Sequence, residues 1–247
     1  MGNDNYIIAG ESGAYYITNL NNNFDNFNTF KLLNESIKGG IQITNNIIAF
    51  TSNKVLPYGE DKLIFYNINK KKIFKIIENY SFETSPNGIY LININDKDKI
   101  LLCACKYYLE GQKNGILLVN PDIEDSQDIN ELFYDTEEFE VYCFCQISMI
   151  NNKSKMKYTN YFLVGGFDTE KGEGLIKLYR IMLNERVTQT KIEFILDIVI
   201  DSNENLEGIE RPISCITQSK KNGNIIATCW DGNVYLFTPP NLNYFLR

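Results

Sequence analysis

The sequence predicts an all-β fold made of repeated antiparallel sheets, and three observations carry that expectation. The first is composition: of 247 residues, 44% are hydrophobic, with 16 Tyr and 15 Phe against 6 Pro and 4 Met, a balance that favours strands over helices. The second is self-similarity. Asn224-Ile-Ile-Ala-Thr-Cys-Trp-Asp-Gly-Asn-Val-Tyr-Leu-Phe237 reads as an apolar strand, a tight polar turn and a second strand, and Tyr6-Ile-Ile-Ala-Gly-Glu-Ser-Gly-Ala-Tyr-Tyr-Ile17 opens the chain with the same arrangement. The third is spacing: strands recur in groups of about four every 40 to 50 residues, so that each group can bury its apolar faces only against its neighbours.

Five units follow in order, at approximately 5–35, 38–78, 87–135, 140–198 and 211–247. The first offers Tyr6–Ala9, Ala14–Thr18 and Thr29–Leu33, and the residues before Tyr6 are too few for a strand ahead of these. The second offers Gly40–Thr44, Asn46–Thr51, Lys62–Ile68 and Lys72–Ile77, and the third Gly88–Asn93, Lys99–Cys105, Gly115–Val119 and Ile129–Tyr134. The fourth offers Val141–Ile147, Tyr161–Gly165, Gly174–Ile181 and Lys191–Asp197; the fifth starts at Pro212–Thr217 and ends near the C-terminus. Polar and glycine-containing turns separate the strands throughout. This period is that of propeller blades, so the expected architecture is one β-propeller domain over residues 1–247, with about five visible four-stranded blades and an incomplete first blade. Leu242–Leu246 is the spare strand at the far end: either it completes the first blade, or the natural chain continues upstream.

Residues 212–238, above all Ile213-Ser-Cys-Ile-Thr-Gln-Ser-Lys-Lys-Asn-Gly-Asn-Ile-Ile-Ala-Thr-Cys-Trp-Asp-Gly-Asn-Val-Tyr-Leu-Phe237, resemble the body of a WD repeat: first strand, glycine-containing turn, apolar second strand, Asp-Gly turn, third strand. The repeats are degenerate. Trp230-Asp231 falls at the turn between the second and third strands, whereas the family's Trp-Asp ends the third, a position held here by Phe237-Thr238, Tyr66-Asn67 and Tyr179-Arg180. The Gly-His pair that precedes the family's first strand is missing, and with it the hydrogen-bonded tetrad that ties such blades together. The resemblance implies a binding scaffold rather than an enzyme.

Residue content narrows the chemistry. Histidine is absent, which removes Ser-His-acid and Cys-His nucleophile systems, His-based zinc sites and the usual general base near neutral pH. Propeller glycosidases work with carboxylate pairs on their innermost strands, but Gly40–Thr44, Gly88–Asn93, Val141–Ile147 and Ile213–Thr217 contain no Asp or Glu. Among the 6 cysteines, Cys103/Cys105 and Cys143/Cys145 form two Cys-x-Cys pairs inside apolar strands, where they read as small buried hydrophobes in a reducing compartment rather than zinc ligands or disulfides. Gly165-Gly-Phe-Asp-Thr-Glu-Lys-Gly-Glu-Gly174 leads into a strand, not a helix, so it reads as a hairpin connection and not a phosphate loop. Asp122, Glu124, Asp125 and Asp128 lack the spacing of a calcium loop, and the Asn-x-Ser sites at Asn34, Asn79 and Asn152 mean little in a cytosolic chain. No cofactor and no metal is expected. The start of the chain lacks a signal peptide, no apolar run reaches the roughly 18 residues of a membrane span, and Met1-Gly2 has Tyr6 where a myristoylation signal wants Ser or Thr.

The expected function is a cytoplasmic, non-catalytic protein–protein interaction module, with a carbohydrate-active or lectin-like propeller binding a small ligand as the alternative. A net charge of −7 disfavours nucleic acid as a partner, and no membrane contact is expected. Connections on one side carry Glu11, Glu60, Asp135, Glu137, Glu138, Glu140, Asp201, Glu204, Glu207 and Glu210; those on the other carry Lys70, Lys71, Lys72, Lys97, Lys99, Lys153, Lys155, Lys157, Lys220 and Lys221. Loops on the acidic side add aromatics that no strand pattern requires: Tyr58, Tyr107, Tyr108, Phe167 and Trp230 are the candidate binding residues.

Overall fold

The computed structural model describes residues 4–20, 28–52, 61–83, 86–95, 98–107, 111–120, 131–150, 157–182, 190–198, 211–219 and 221–237. These residues are all-β, in several antiparallel sheets, with a single 3₁₀ turn at Pro86–Gly88. The chain divides into two compact units, Met1–Pro86 with Lys106–Gln112, and Asn87–Cys105 with Lys113–Arg247.

In the first unit, β1 (Asp4–Gly10), β2 (Gly13–Leu20) and β3 (Asn28–Leu33) form one sheet. A second sheet contains β4 (Ile37–Gln42), β5 (Ile47–Ser52), β6 (Leu63–Asn67) and β7 (Lys72–Ile77), each strand pairing antiparallel with the next. Ala14 and Leu33 from the first sheet pack with Ile37, Ile48, Phe50, Ile64 and Tyr66 from the second. A short strand, β8 (Tyr80–Phe82), follows. Beneath it lies a buried ion pair: Lys38 Nζ donates to Asp61 Oδ2 at 2.7 Å and to the Phe82 carbonyl at 2.6 Å, while Ser81 Oγ and the Phe82 N–H donate to the same carboxylate oxygen. Both charged side chains are less than a tenth exposed.

The second unit holds three sheets. The first runs β9 (Ile89–Asn93), β10 (Lys99–Tyr107, its last two residues falling in the other unit), β11 (Lys113–Val119) and β12 (Glu131–Glu137). Next come β13 (Phe139–Ile150), β14 (Lys157–Asp168), β15 (Glu173–Met182) and β16 (Lys191–Ile198), then β17 (Ile213–Gln218), β18 (Ile225–Cys229) and β19 (Val234–Phe237). The β13–β16 sheet is covered on both faces. Phe144, Phe162, Val164, Tyr179 and Ile181 meet Ile100, Leu102, Ile116 and Leu118 on one side. Cys143, Cys145, Leu163, Ile176 and Leu178 meet Ile213, Ile216, Ala227 and Phe237 on the other. Successive strand residues point to opposite faces, so a strand covered twice must be apolar at every position; this explains runs such as Val141-Tyr-Cys-Phe-Cys145 that do not alternate.

Several strands start earlier than the sequence indicates, and β-bulges account for the difference. Opposite Thr51 and Ser52, β4 carries Lys38 as an extra residue, one place into its strand; Ser214 is the extra residue one place into β17, and Tyr142 the extra residue three places into β13. A bulge inverts the facing of whatever precedes it. Phe139 and Val141 therefore point to the same side as Phe144, not to the side of Cys143. The inversion hides the first turn of each strand from a pattern of period two, and it brings Ile37–Gly39 and Phe139–Glu140 into strands expected to begin at Gly40 and Val141. Glu140 accordingly corrects the expectation that these first strands carry no carboxylate.

The Gly165–Gly174 segment joins β14 and β15 as a hairpin, as expected, but only Thr169–Gly172 form the turn, with Gly172 at φ +71°, while Gly165 and Gly166 belong to β14. A Cβ on Gly165 would stand 2.6 Å from Ile213 Cγ2, 2.7 Å from Cys143 Sγ and 2.8 Å from Ile216 Cδ1; one on Gly166 would stand 2.0 Å from the Glu140 carbonyl oxygen. Gly165→Ala should lower unfolding free energy by about 1–3 kcal/mol, and Gly166→Ala by more, because a backbone oxygen cannot rotate away. Chemical denaturation measures both, and an unchanged midpoint for Gly166→Ala would mean that the bulge at Tyr142 is wrongly placed.

Removing one partner of a buried ion pair leaves the other charge without compensation. Lys38→Ala should cost about 3–5 kcal/mol, whereas a surface lysine such as Lys72 changed to Ala should cost under about 1 kcal/mol. Comparable melting temperatures for the two variants would place Lys38 in water.

Candidate functional site

Of the three expected binding residues that fall among the described residues, Trp230 is the one on a turn. Gly232 N donates to the Cys229 carbonyl at 3.1 Å and Cys229 N to the Asn233 carbonyl at 3.0 Å, which closes a three-residue hairpin loop, Trp230-Asp231-Gly232. Gly232 takes φ +87°, as the Asp-Gly pair predicts, and Asp231 Oδ1 accepts the Asn233 N–H. The loop lifts the indole clear of the sheet: Trp230 is 58% exposed, and no hydrogen bond engages its N–H among the described residues. Its backbone is held in turn, since Trp230 N donates to the Pro212 carbonyl.

The ring rests edge-on against Tyr142, centroid to centroid 4.9 Å at 65°. Tyr142 is the bulged residue of β13, and its hydroxyl donates to Glu140 Oε2 at 2.7 Å. Glu140 lies directly across the ladder from Phe167, which is half-buried near the end of β14 rather than on a loop. Phe167 shares its strand face with Gly165, the residue packed against Ile213 and Ile216, so it points toward the β17–β19 sheet. Trp230, Tyr142 and Glu140 are thus joined side chain to side chain into a corner at the end of two neighbouring sheets, with Phe167 across the ladder from Glu140. Tyr142 escaped the sequence reading because, inside an apolar run, nothing distinguishes a bulged tyrosine from a core one.

Tyr107 is the last residue of β10, half-buried, and stacks on Tyr80 within the first unit at 5.3 Å. It covers its own sheet. Tyr58 and Tyr108 lie outside the described residues, as do the acidic stretch from Asp122 to Asp128 and Leu242–Leu246.

Charge separates along the strands of individual sheets. In the β4–β7 sheet, Glu35, Asp61 and Glu78 stand at one end together with Lys38 and Lys62, which pair with Asp61 and Glu35, and Lys70, Lys71 and Lys72 stand at the other. In the β13–β16 sheet, Glu138 and Glu140 stand at the end opposite Lys157. Glu60, Asp201, Glu204, Glu207, Glu210, Lys97, Lys153, Lys155 and Lys220 fall outside the described residues.

The thiols are arranged for packing. Cys143 and Cys145 face the β17–β19 sheet, whereas Cys103 and Cys105 alternate with Leu102 and Ala104 and so point away from the β13–β16 sheet; the two pairs do not share an interface. Burial pushes Cys103, Cys105 and Cys143 well up, and Cys145 and Cys229 to about 11, so these thiols stay protonated at neutral pH. Among the described residues, no group of three Cys, Asp or Glu side chains could hold a metal ion. An open cleft of about 570 Å³ in the first unit is lined by Ile7 and Ala9 of β1 and by Ile37–Gln42 of β4; its ionisable lining residue, Lys38, is already committed to Asp61. No helix among the described residues is long and apolar enough to cross a membrane.

No known family model matches the chain, and no curated protein does so either.

Gly232 tests the geometry of the corner directly. A β-branched side chain disfavours positive φ, and an added Cβ would meet nothing within 4 Å, so Gly232→Val isolates backbone strain at about 1–3 kcal/mol. Trp230 emission should change in the same variant as the loop reopens. A variant with wild-type stability and emission would show that the turn does not need its left-handed residue.

Proposed function

We propose that this chain is a non-catalytic protein–protein interaction module built on a WD-repeat-like β-propeller and working in the cytoplasm. Consecutive antiparallel sheets, face-to-face packing of successive sheets within each unit, and a bulge recurring near the start of β4, β13 and β17 support the repeat architecture. The docking surface is the corner made by Trp230, Tyr142, Phe167 and Glu140. The observation that carries this reading is an indole 58% exposed on a short, hydrogen-bonded loop above a rigid sheet. An aromatic held this way offers a large apolar area with little entropy left to lose on binding.

Trp230→Ala should leave the melting temperature close to wild type, because the ring is mostly in water, and should weaken a partner recovered from the native host by about 2 kcal/mol or more, some thirtyfold in Kd. Calorimetry with wild type, Trp230→Ala and the Phe167→Ala/Trp230→Ala double variant decides the matter. Full affinity in the double variant would move docking to another surface.

A further inference from the structure

We infer that the partner docks through an arginine side chain, received between the indole of Trp230 and the carboxylate of Glu140. The inference rests on the docking surface proposed above and specifies what fits it. An apolar residue alone would satisfy the indole, but it would leave the acidic surroundings unanswered. Glu140 is held beside the aromatic pair by the Tyr142 hydroxyl at 2.7 Å, and Asp231 adjoins Trp230 on the loop. Glu138 stands two residues from Glu140 at the same end of the sheet, its carboxylate accepting from Thr169 Oγ1. Among the described residues, no lysine or arginine pairs with Glu138 or Asp231, while the nearby Lys171 and Lys177 are engaged by Asp168 and Asp197. Arg211 is exposed next to Pro212, whose carbonyl accepts the Trp230 backbone N–H.

The surface is therefore aromatic and negative at once, on a chain of net charge −7. Nucleic acids and anionic lipids are repelled from it. A guanidinium answers both properties: it stacks flat on an indole, and its forked donors match a carboxylate. Lysine supplies the charge without the plane, and citrulline supplies the plane without the charge.

The lone tryptophan makes the test direct, since all indole emission comes from position 230. The full chain is titrated with a capped peptide of about eight residues containing two arginines, with its citrulline counterpart, with its lysine counterpart, and with a glutamate counterpart. The arginine peptide should perturb Trp230 emission saturably, about tenfold more tightly than the citrulline peptide and several-fold more tightly than the lysine one. Raising salt from about 0.15 to 0.5 M should weaken it, and Glu140→Gln, which keeps an acceptor for Tyr142, should weaken it about tenfold while the melting temperature holds. Equal binding of the citrulline or glutamate peptide overturns the arginine inference and leaves the aromatic docking surface standing. If none of the four perturbs Trp230, the inference fails, and the calorimetry with the host partner still judges the docking surface independently.

Discussion

Phe144, Phe162 and Tyr179 fill one face of the β13–β16 sheet while Cys143, Leu163 and Leu178 fill the other, and from this double burial most of the structure follows. A sheet wet on one side tolerates any polar residue at alternate positions. One sandwiched between two others tolerates almost none, and each buried Leu, Ile or Phe contributes about 1.5–3 kcal/mol of transfer free energy. The same demand excludes a side chain where β14 meets the β17–β19 sheet, which is why it carries Gly165 there; Gly166 instead makes room for the Glu140 carbonyl of the adjacent strand. Double burial also leaves solvated groups to the turns, to the ends of the strands and to outer strands such as β7, β16 and β19.

The bulges convert that constraint into surface chemistry. With an extra residue, the start of β4, β13 and β17 turns out of register with the rest, freeing one side chain per strand from the core pattern. The three positions are used differently. Lys38 turns inward to Asp61, Ser214 Oγ bonds back to the Thr228 carbonyl, and Tyr142 reaches across to Trp230. One backbone device repeated with different residues yields an internal clamp, a local tie and part of the proposed docking corner.

The strands were legible in the sequence because they are runs of β-branched and aromatic residues punctuated by turn chemistry, and Gly232 was legible because Asp-Gly at a hairpin has few conformational options. Less was legible where meaning depends on register. Glu140 looks like a loop residue until the bulge at Tyr142 shows that β13 begins at Phe139. Phe167 looks like a loop aromatic because two glycines precede it, yet those glycines mark close packing inside a strand. Trp230 was identified from its turn alone, while its neighbour Tyr142 could not be, since the contact joins residues far apart in the chain and belonging to different sheets. The packing of consecutive sheets follows from composition; which residues meet at their corners follows from single-residue insertions that composition does not register.

The buried thiols give the folded and unfolded chains opposite redox characters. In the native protein, Cys103, Cys143 and their neighbours are protonated and screened from solvent, so oxidants and disulfide reagents find little to attack. Once the sheets separate, the five buried sulfurs return to ordinary acidity in water, and an external disulfide, itself reduced in the exchange, can oxidise any two of the chain's thiols to a cross-link. A molecule cross-linked in that state cannot rebuild faces that require every sulfur reduced. Unfolding without a reductant is then a one-way passage, and the survival of the protein outside a reducing compartment is set by how seldom it opens rather than by how stable it is.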